Sequence, residues 1–110
     1  MNEKQLFGHA GESFAATVLE LSGYEILRRN YTCRAGEIDI VAQRGEELFF
    51  IEVKTRRDTA FGQPRDAVTE TKRQHMRKAA SIFLSEHGCR WAAYSFQVIE
   101  IGFCQIENAF

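Results

Sequence analysis

Long hydrophobic runs are missing from this sequence. No apolar stretch approaches the ~20 residues of a membrane-spanning helix. The start, MNEKQLFGHAGESF, lacks the apolar core of a signal peptide. A cytoplasmic protein with no membrane partner is expected. Cysteine is scarce: Cys33, Cys89 and Cys104 are odd in number and widely spaced, which excludes a disulfide framework and a CxxC zinc site. His9, His75 and His87 are scattered, and His87 with nearby Cys89 falls short of four zinc ligands. Neither sign of charge is in excess, with 14 Lys and Arg against 15 Asp and Glu. The chain is therefore neither a uniformly basic binder nor an acidic tail. One proline, no internal repeat and no low-complexity segment exclude repeat arrays and disordered linkers. What is present, 45% hydrophobic and 26% charged residues in a chain of 110, reads as one globular domain over residues 1–110 with a single sizeable core.

The most informative stretch is Gly36 to Arg56, GEIDIVAQRGEELFFIEVKTR. Two apolar runs, Ile38–Ala42 and Leu48–Val53, flank a polar turn at Arg44, Gly45 and Glu46, which is the pattern of a β-hairpin. Yet Asp39 stands between Ile38 and Ile40, Glu52 stands between Ile51 and Val53, and Lys54 follows. Ionised groups in such surroundings are costly unless paired or bound to a metal. Strand alternation puts Phe50, Glu52 and Lys54 on one face, and Glu37 with Asp39 on one face. Asp39 precedes Gly45 by six positions and Glu52 follows it by seven. A hairpin folded there sets the two carboxylates side by side, where opposed Cβ atoms are about 4.5–5.5 Å apart. Carboxylates that close repel, and a hard divalent cation removes the conflict. With the Lys54 ammonium to orient a water and balance a phosphate, the set suits metal-assisted phosphodiester hydrolysis.

The spacing around the hairpin predicts the rest of the fold. Gln5 to Leu21 reads as a helix with Phe7, Phe14, Val18 and Leu21 as its apolar stripe. Gly8 and Gly11 each cost roughly 1 kcal/mol against Ala inside a helix, which points to close approach by another backbone or a ligand. Glu12 beside them reads, on spacing alone, as an exposed acid near the helix start. Ser22-Gly23 ends the helix. Tyr24–Tyr31 is a first strand, with Arg28 and Arg29 on opposite faces, and Thr32–Ala35 is a turn. After Lys54, Thr55–Pro64 is a loop by composition, placed where a substrate clamp would lie, with Phe61 as a stacking or core residue. Thr69 caps a second helix running to about Ser85, with Met76, Ala79, Ala80 and Phe83 as its stripe and His87-Gly88 as its stop. Trp91–Phe103 forms a fourth strand. The order α-β-β-β-α-β is an α/β core with a central mixed sheet flanked by helices. From Ile51 to Lys78 eight basic residues accompany four acidic ones. This is either a side able to hold a phosphate backbone or a solvated face.

The runs Gly36-Glu37-Ile38-Asp39-Ile40-Val41-Ala42 and Phe50-Ile51-Glu52-Val53-Lys54-Thr55-Arg56 resemble the YraN family of uncharacterised bacterial proteins. That family is placed in the restriction-endonuclease-like, PD-(D/E)XK superfamily, near archaeal Holliday-junction resolvases. The likeness runs nearly end to end, through Gly11-Glu12, Gly23-Tyr24, Arg29-Asn30, Phe61-Gly62 with Pro64, Ala67-Val68, Lys72 and the last strand. It implies a restriction-endonuclease-like core, Asp39 and Glu52 as metal ligands with the Val53 carbonyl as a third, and Lys54 as the catalytic lysine. It also makes Glu12 a helix acid beside the site, against the reading from spacing, and leaves Glu37 structural or in the outer shell. Ile38 stands where the superfamily motif has a proline, a position without chemistry. Ser95-Phe96-Gln97-Val98 stands where relatives are expected to carry an Arg-Phe-Asp-Val-like run.

Two functions follow. One is a Mg²⁺- or Mn²⁺-dependent DNA endonuclease, selective for DNA structure. Its catalytic set is Asp39, Glu52, Lys54 and Glu12, with backbone contacts from Arg56, Arg57, Lys72 and Arg73. Resolvase-like activity would favour a homodimer, since two symmetric strands are cut. The other is a non-catalytic nucleic-acid-binding or partner-binding module with the same fold, which the modest net charge and small size suit.

Overall fold

A computed structural model describes residues 1–56, 68–88 and 90–110. In chain order the elements are α1 (Glu3–Leu21), β1 (Glu25–Cys33), β2 (Gly36–Arg44), β3 (Glu47–Arg56), α2 (Glu70–His87) and β4 (Ala93–Gly102). The four strands lie in the order β1-β2-β3-β4. The first three run antiparallel, and β4 runs parallel to β3 after the α2 crossover. This is the α/β core with a mixed sheet that the α-β-β-β-α-β pattern predicts. Among the described residues no helix is long and apolar enough to cross a membrane.

Local chemistry sets the boundaries. Asn2 and Gln5 close a reciprocal cap on α1. Thr69 accepts the Lys72 N–H at the start of α2, and Gly88, at φ 74°, ends that helix. The β2–β3 hairpin closes through Gly45 and Glu46, with Arg44 paired to Glu47. Gly45 has φ 61° and Glu46 is not in the positive-φ region, which fits a two-residue turn with glycine first. β3 runs two residues past the expected limit at Lys54, because Thr55 and Arg56 still pair with Ile101 and Gly102 of β4. Phe61 and the remainder of the expected loop, like Cys89, lie outside the described residues.

The sheet separates two apolar layers. On one side Ala79, Ala80 and Phe83 of α2 pack on Tyr31, Ile38, Val41, Leu48 and Phe50. On the other, Ala15, Ala16 and Leu19 of α1 pack on Ile40, Ala42, Phe49 and Ile51. The α2 stripe is the expected one. The α1 stripe is not: Phe14, Val18 and Leu21 are 60%, 43% and 84% exposed, and Phe7 is half-buried in edge contact with Phe103. The buried face is Gly11, Glu12, Ala15, Ala16 and Leu19. Small residues win here because α1 lies very close to β3. A Cβ placed on Gly11 would stand 2.1 Å from Thr55 Oγ1 and 3.1 Å from Thr55 Cβ. At Gly8 a Cβ would meet nothing within 4 Å, so the close approach expected at both glycines belongs to Gly11 alone.

Gly11→Ala should therefore destabilise the protein by about 1–3 kcal/mol through overpacking, although Ala is the better helix former by about 1 kcal/mol. Gly8→Ala should instead be neutral or stabilising by up to about 1 kcal/mol. Urea midpoints of the two variants check the pair, and equal shifts would contradict it.

Candidate metal centre

The site forms where the hairpin opens. Pairing of β2 with β3 runs from the turn to Ile40↔Ile51 and stops. The next residues in that register are Asp39 and Glu52. There the Val53 N–H donates to Asp39 Oδ2 at 2.8 Å, so a side chain takes a bond that a ladder carbonyl would otherwise accept.

The same point is where the strands turn over. Residues two apart on a strand ordinarily share a face. Tyr31 and its partner Ile38 pack in the α2 layer, yet Ile40 packs in the α1 layer and its partner Arg29 reaches Ser13 of α1 at 2.9 Å. Both strands therefore change face between these residues, at Asp39 in β2 and Asn30 in β1. Asn30 has φ 53°, a left-handed conformation that asparagine tolerates better than most side chains. The turnover leaves Asp39 at the seam of the two layers. It feels Glu12 from α1 and Lys72 from α2.

Two ion pairs flank this seam. Lys72 Nζ lies 3.0 Å from Glu52 Oε2, and Arg29 Nη2 lies 3.7 Å from Glu12 Oε1. Burial, the largest cause, pushes both Asp39 and Glu52 above the usual carboxylate range. The Asp39 charge raises Glu52 further while Lys72 opposes it, and the Val53 N–H opposes the shift on Asp39. The two carboxyl groups also lie within hydrogen-bond reach of one another. Glu12 is only 8% exposed. Burial raises its pKa as well, against the pull of Arg29, and its Oε1 is buried without a hydrogen-bond partner.

A hard divalent cation fits this donor set. The donors are carboxylate oxygens that repel one another and are incompletely satisfied, which is what such an ion relieves. Among the described residues no three His, Cys, Asp or Glu side chains are grouped to hold an ion, so the carboxylate donors considered are Asp39 and Glu52. The Val53 N–H bond to Asp39 keeps the backbone of Val53, the expected third donor, beside the pair.

The structure places the remaining candidates unequally. Lys54 shares the α2-side face with Glu52, opposite Glu100 of β4, and among the described residues its ammonium has no ion-pair partner. Arg56 is ion-paired with Glu100, its side chain only 13% exposed. Arg73 is exposed and lies 3.8 Å from Glu70. Glu37 is exposed. Arg57 lies outside the described residues. The sequence does not single out Arg29 as the partner of Glu12, Asn30 as the turnover point, or Lys72 as the partner of Glu52. The Arg29-Asn30 pair was visible as part of the motif, but strand alternation alone could not say that β1 changes face there.

Comparison with known proteins adds the relationship. Residues 11–101, which include Glu12, Asp39, Glu52, Lys54 and Lys72, match a family described as "Uncharacterised protein family UPF0102". The chain is 43% identical over 108 residues to a UPF0102 protein of Caldicellulosiruptor saccharolyticus, covering 98% of this chain and 90% of that one. It is 47% identical over 105 residues to a UPF0102 protein of Geobacter metallireducens, covering 92% and 86%. A UPF0102 protein of Nocardia farcinica is 43% identical over 101 residues, covering 92% and 80%.

Proposed function

We propose that this chain, which belongs to the uncharacterised protein family UPF0102, is a Mg²⁺- or Mn²⁺-dependent endonuclease that hydrolyses phosphodiester bonds in DNA of particular structure. One observation carries the reading: Asp39 and Glu52 face each other at the open end of the hairpin, with the Val53 backbone and Lys54 next along β3. The PD-(D/E)XK resemblance of these residues supports it. Asp39 and Glu52, with the Val53 carbonyl, would hold the ion, which when bound supplies Lewis acidity at the scissile phosphate. Lys54 orients the attacking water and offsets charge that develops on the phosphate. Glu12, on the buried face of α1, adds negative charge that acts on Asp39. In this reading Arg57 and Arg73 contact the phosphate backbone, and Arg56 is paired with Glu100 of β4. A homodimer goes with this reading, because cutting a branched substrate symmetrically calls for two sites related by a two-fold axis.

The test is a panel of single-stranded, duplex, flapped and four-way DNA with Mg²⁺ or Mn²⁺. The wild type should cut one member. Lys54→Ala should lower that rate by about 100-fold or more while calorimetric metal uptake stays near wild type. Cleavage that survives Glu52→Ala would overturn the assignment. Salt-sensitive DNA binding without any cleavage would place the chain with the non-catalytic modules.

A further inference from the structure

Lys72, expected from the sequence to contact the phosphate backbone, reaches Glu52 in the candidate site. It lies in the first turn of α2, where its N–H donates to the capping Thr69 Oγ1 at 3.1 Å, so its backbone is fixed relative to the helix start. From there the side chain spans the gap to the sheet and sets its ammonium 3.0 Å from Glu52 Oε2. The Glu52 side chain is only 14% exposed, so the contact is largely withdrawn from water. Neighbouring charges on α2 do not share it: Arg73 and Arg77 turn to Glu70, at 3.8 and 3.4 Å. Asp39 faces Glu52 from β2, and Glu12 acts on Asp39 from α1. Among the described residues Lys72 is therefore the cation that offsets Glu52.

Resting on the metal-dependent reading above, we propose that Lys72 is a displaceable counter-cation that competes with the metal for Glu52 and, once expelled, turns to the DNA phosphate. A divalent ion held by Asp39 and Glu52 draws on the carboxylate that Lys72 now engages. Two cations on one carboxylate repel strongly in a partly buried site. The lysine side chain is long and flexible and its ammonium is not bound to a fixed direction, so it can leave without moving α2. Metal uptake thereby frees a positive charge at the rim of the site, and metal and DNA binding become coupled in the favourable sense.

The competition predicts opposite changes in two affinities. Manganese titration by calorimetry should show Lys72→Gln binding Mn²⁺ more tightly than wild type, several-fold to about tenfold. Lys72→Arg, which keeps a cation, should stay near wild type. In a Lys54→Ala background, which suppresses turnover, Lys72→Gln should bind the preferred DNA more weakly when Mn²⁺ is present. A lysine that merely holds α2 to the sheet would weaken both affinities on removal, and circular-dichroism melts of each variant report that loss of structure directly. Unchanged or weaker Mn²⁺ binding by Lys72→Gln, beside measurable uptake by wild type, overturns the proposal and leaves the nuclease reading standing. Failure of wild type and Lys72→Gln alike to take up Mn²⁺ overturns both. Uptake by Lys72→Gln alone supports a strong competition.

Discussion

Asp39→Asn should weaken metal binding by more than about 100-fold, beyond the 10–100-fold typical of outer-shell partners, and should raise the melting temperature of the metal-free protein. The two effects share one cause. In the absence of metal, Asp39 and Glu52 bring two carboxylates together in a partly buried seam, with Glu12 adding to the repulsion on Asp39 and one ammonium, Lys72, against it. Asparagine removes one charge but keeps a carbonyl oxygen to accept the Val53 N–H, so the opening of the hairpin is preserved. The expected gain is about 0.5–2 kcal/mol, the scale on which functional sites are held away from a stability optimum. A lower melting temperature for the variant would show that the charge of Asp39 supports the fold and that carboxylate repulsion does not limit its stability.

The sign of the pH dependence follows. Both folded pKa values lie above the ordinary 3.8 of Asp and 4.5 of Glu. Between the unfolded and folded values the folded chain binds more protons, so stability falls as pH rises through the folded values and is recovered on acidification. Metal-free wild type should thus lose stability as pH rises above the ordinary Asp and Glu values of 3.8 and 4.5. That slope should flatten in Asp39→Asn and in saturating Mg²⁺, since either removes the pair's excess negative charge. Thermal melts in a buffer series that starts below the ordinary carboxylate values and runs to neutral, with and without Mg²⁺, check both statements. A slope as steep in Asp39→Asn as in wild type would assign it to other groups.

Much of this was legible from local patterns, and the failures have a common origin. The hairpin was readable because Gly45 sits between two apolar runs and the register from one turn fixes which residues meet. Asp39 and Glu52 follow by counting. The α2 stripe was readable because Met76, Ala79, Ala80 and Phe83 recur at helical spacing and are the residues of that helix that the fold buries. The same reasoning failed on α1, where Phe14, Val18 and Leu21 are periodic but point outward. Periodicity marks a face without saying how near the sheet will come, and Gly11, Ala15 and Ala16 make the nearer approach possible. Asn30, Arg29 and Lys72 act on the site across layers. Each depends on where two strands turn over or how far a side chain reaches from a neighbouring helix, and no spacing within one segment encodes that.

Phe50→Ala should cost about 3–5 kcal/mol, a large part of the 5–15 kcal/mol that holds a typical domain folded. Phe50 is fully buried and central. It meets Phe83 of α2 edge-on at 5.8 Å, and Tyr94 and Phe96 of β4 at 6.0 and 5.5 Å. It thus joins α2, β3 and β4, and it stands two residues before Glu52 on the same face of β3. Truncation removes the apolar anchor of the strand that carries Glu52 and Lys54, and leaves a cavity the surrounding rings cannot fill. Metal that binds only the folded chain should restore part of the loss, about 2.7 kcal/mol at 100 times the dissociation constant. Urea unfolding of Phe50→Ala with and without Mg²⁺ reads this directly. The double variant Phe50→Ala/Asp39→Asn should show no metal-dependent recovery. Equal recovery in single and double variants would mean that the ion acts elsewhere than at Asp39. No recovery in the single variant, with metal binding intact in the wild type, would mean that Phe50 is needed to keep Glu52 in register with Asp39, so that the aromatic layer shapes the site as well as stabilising the sheet.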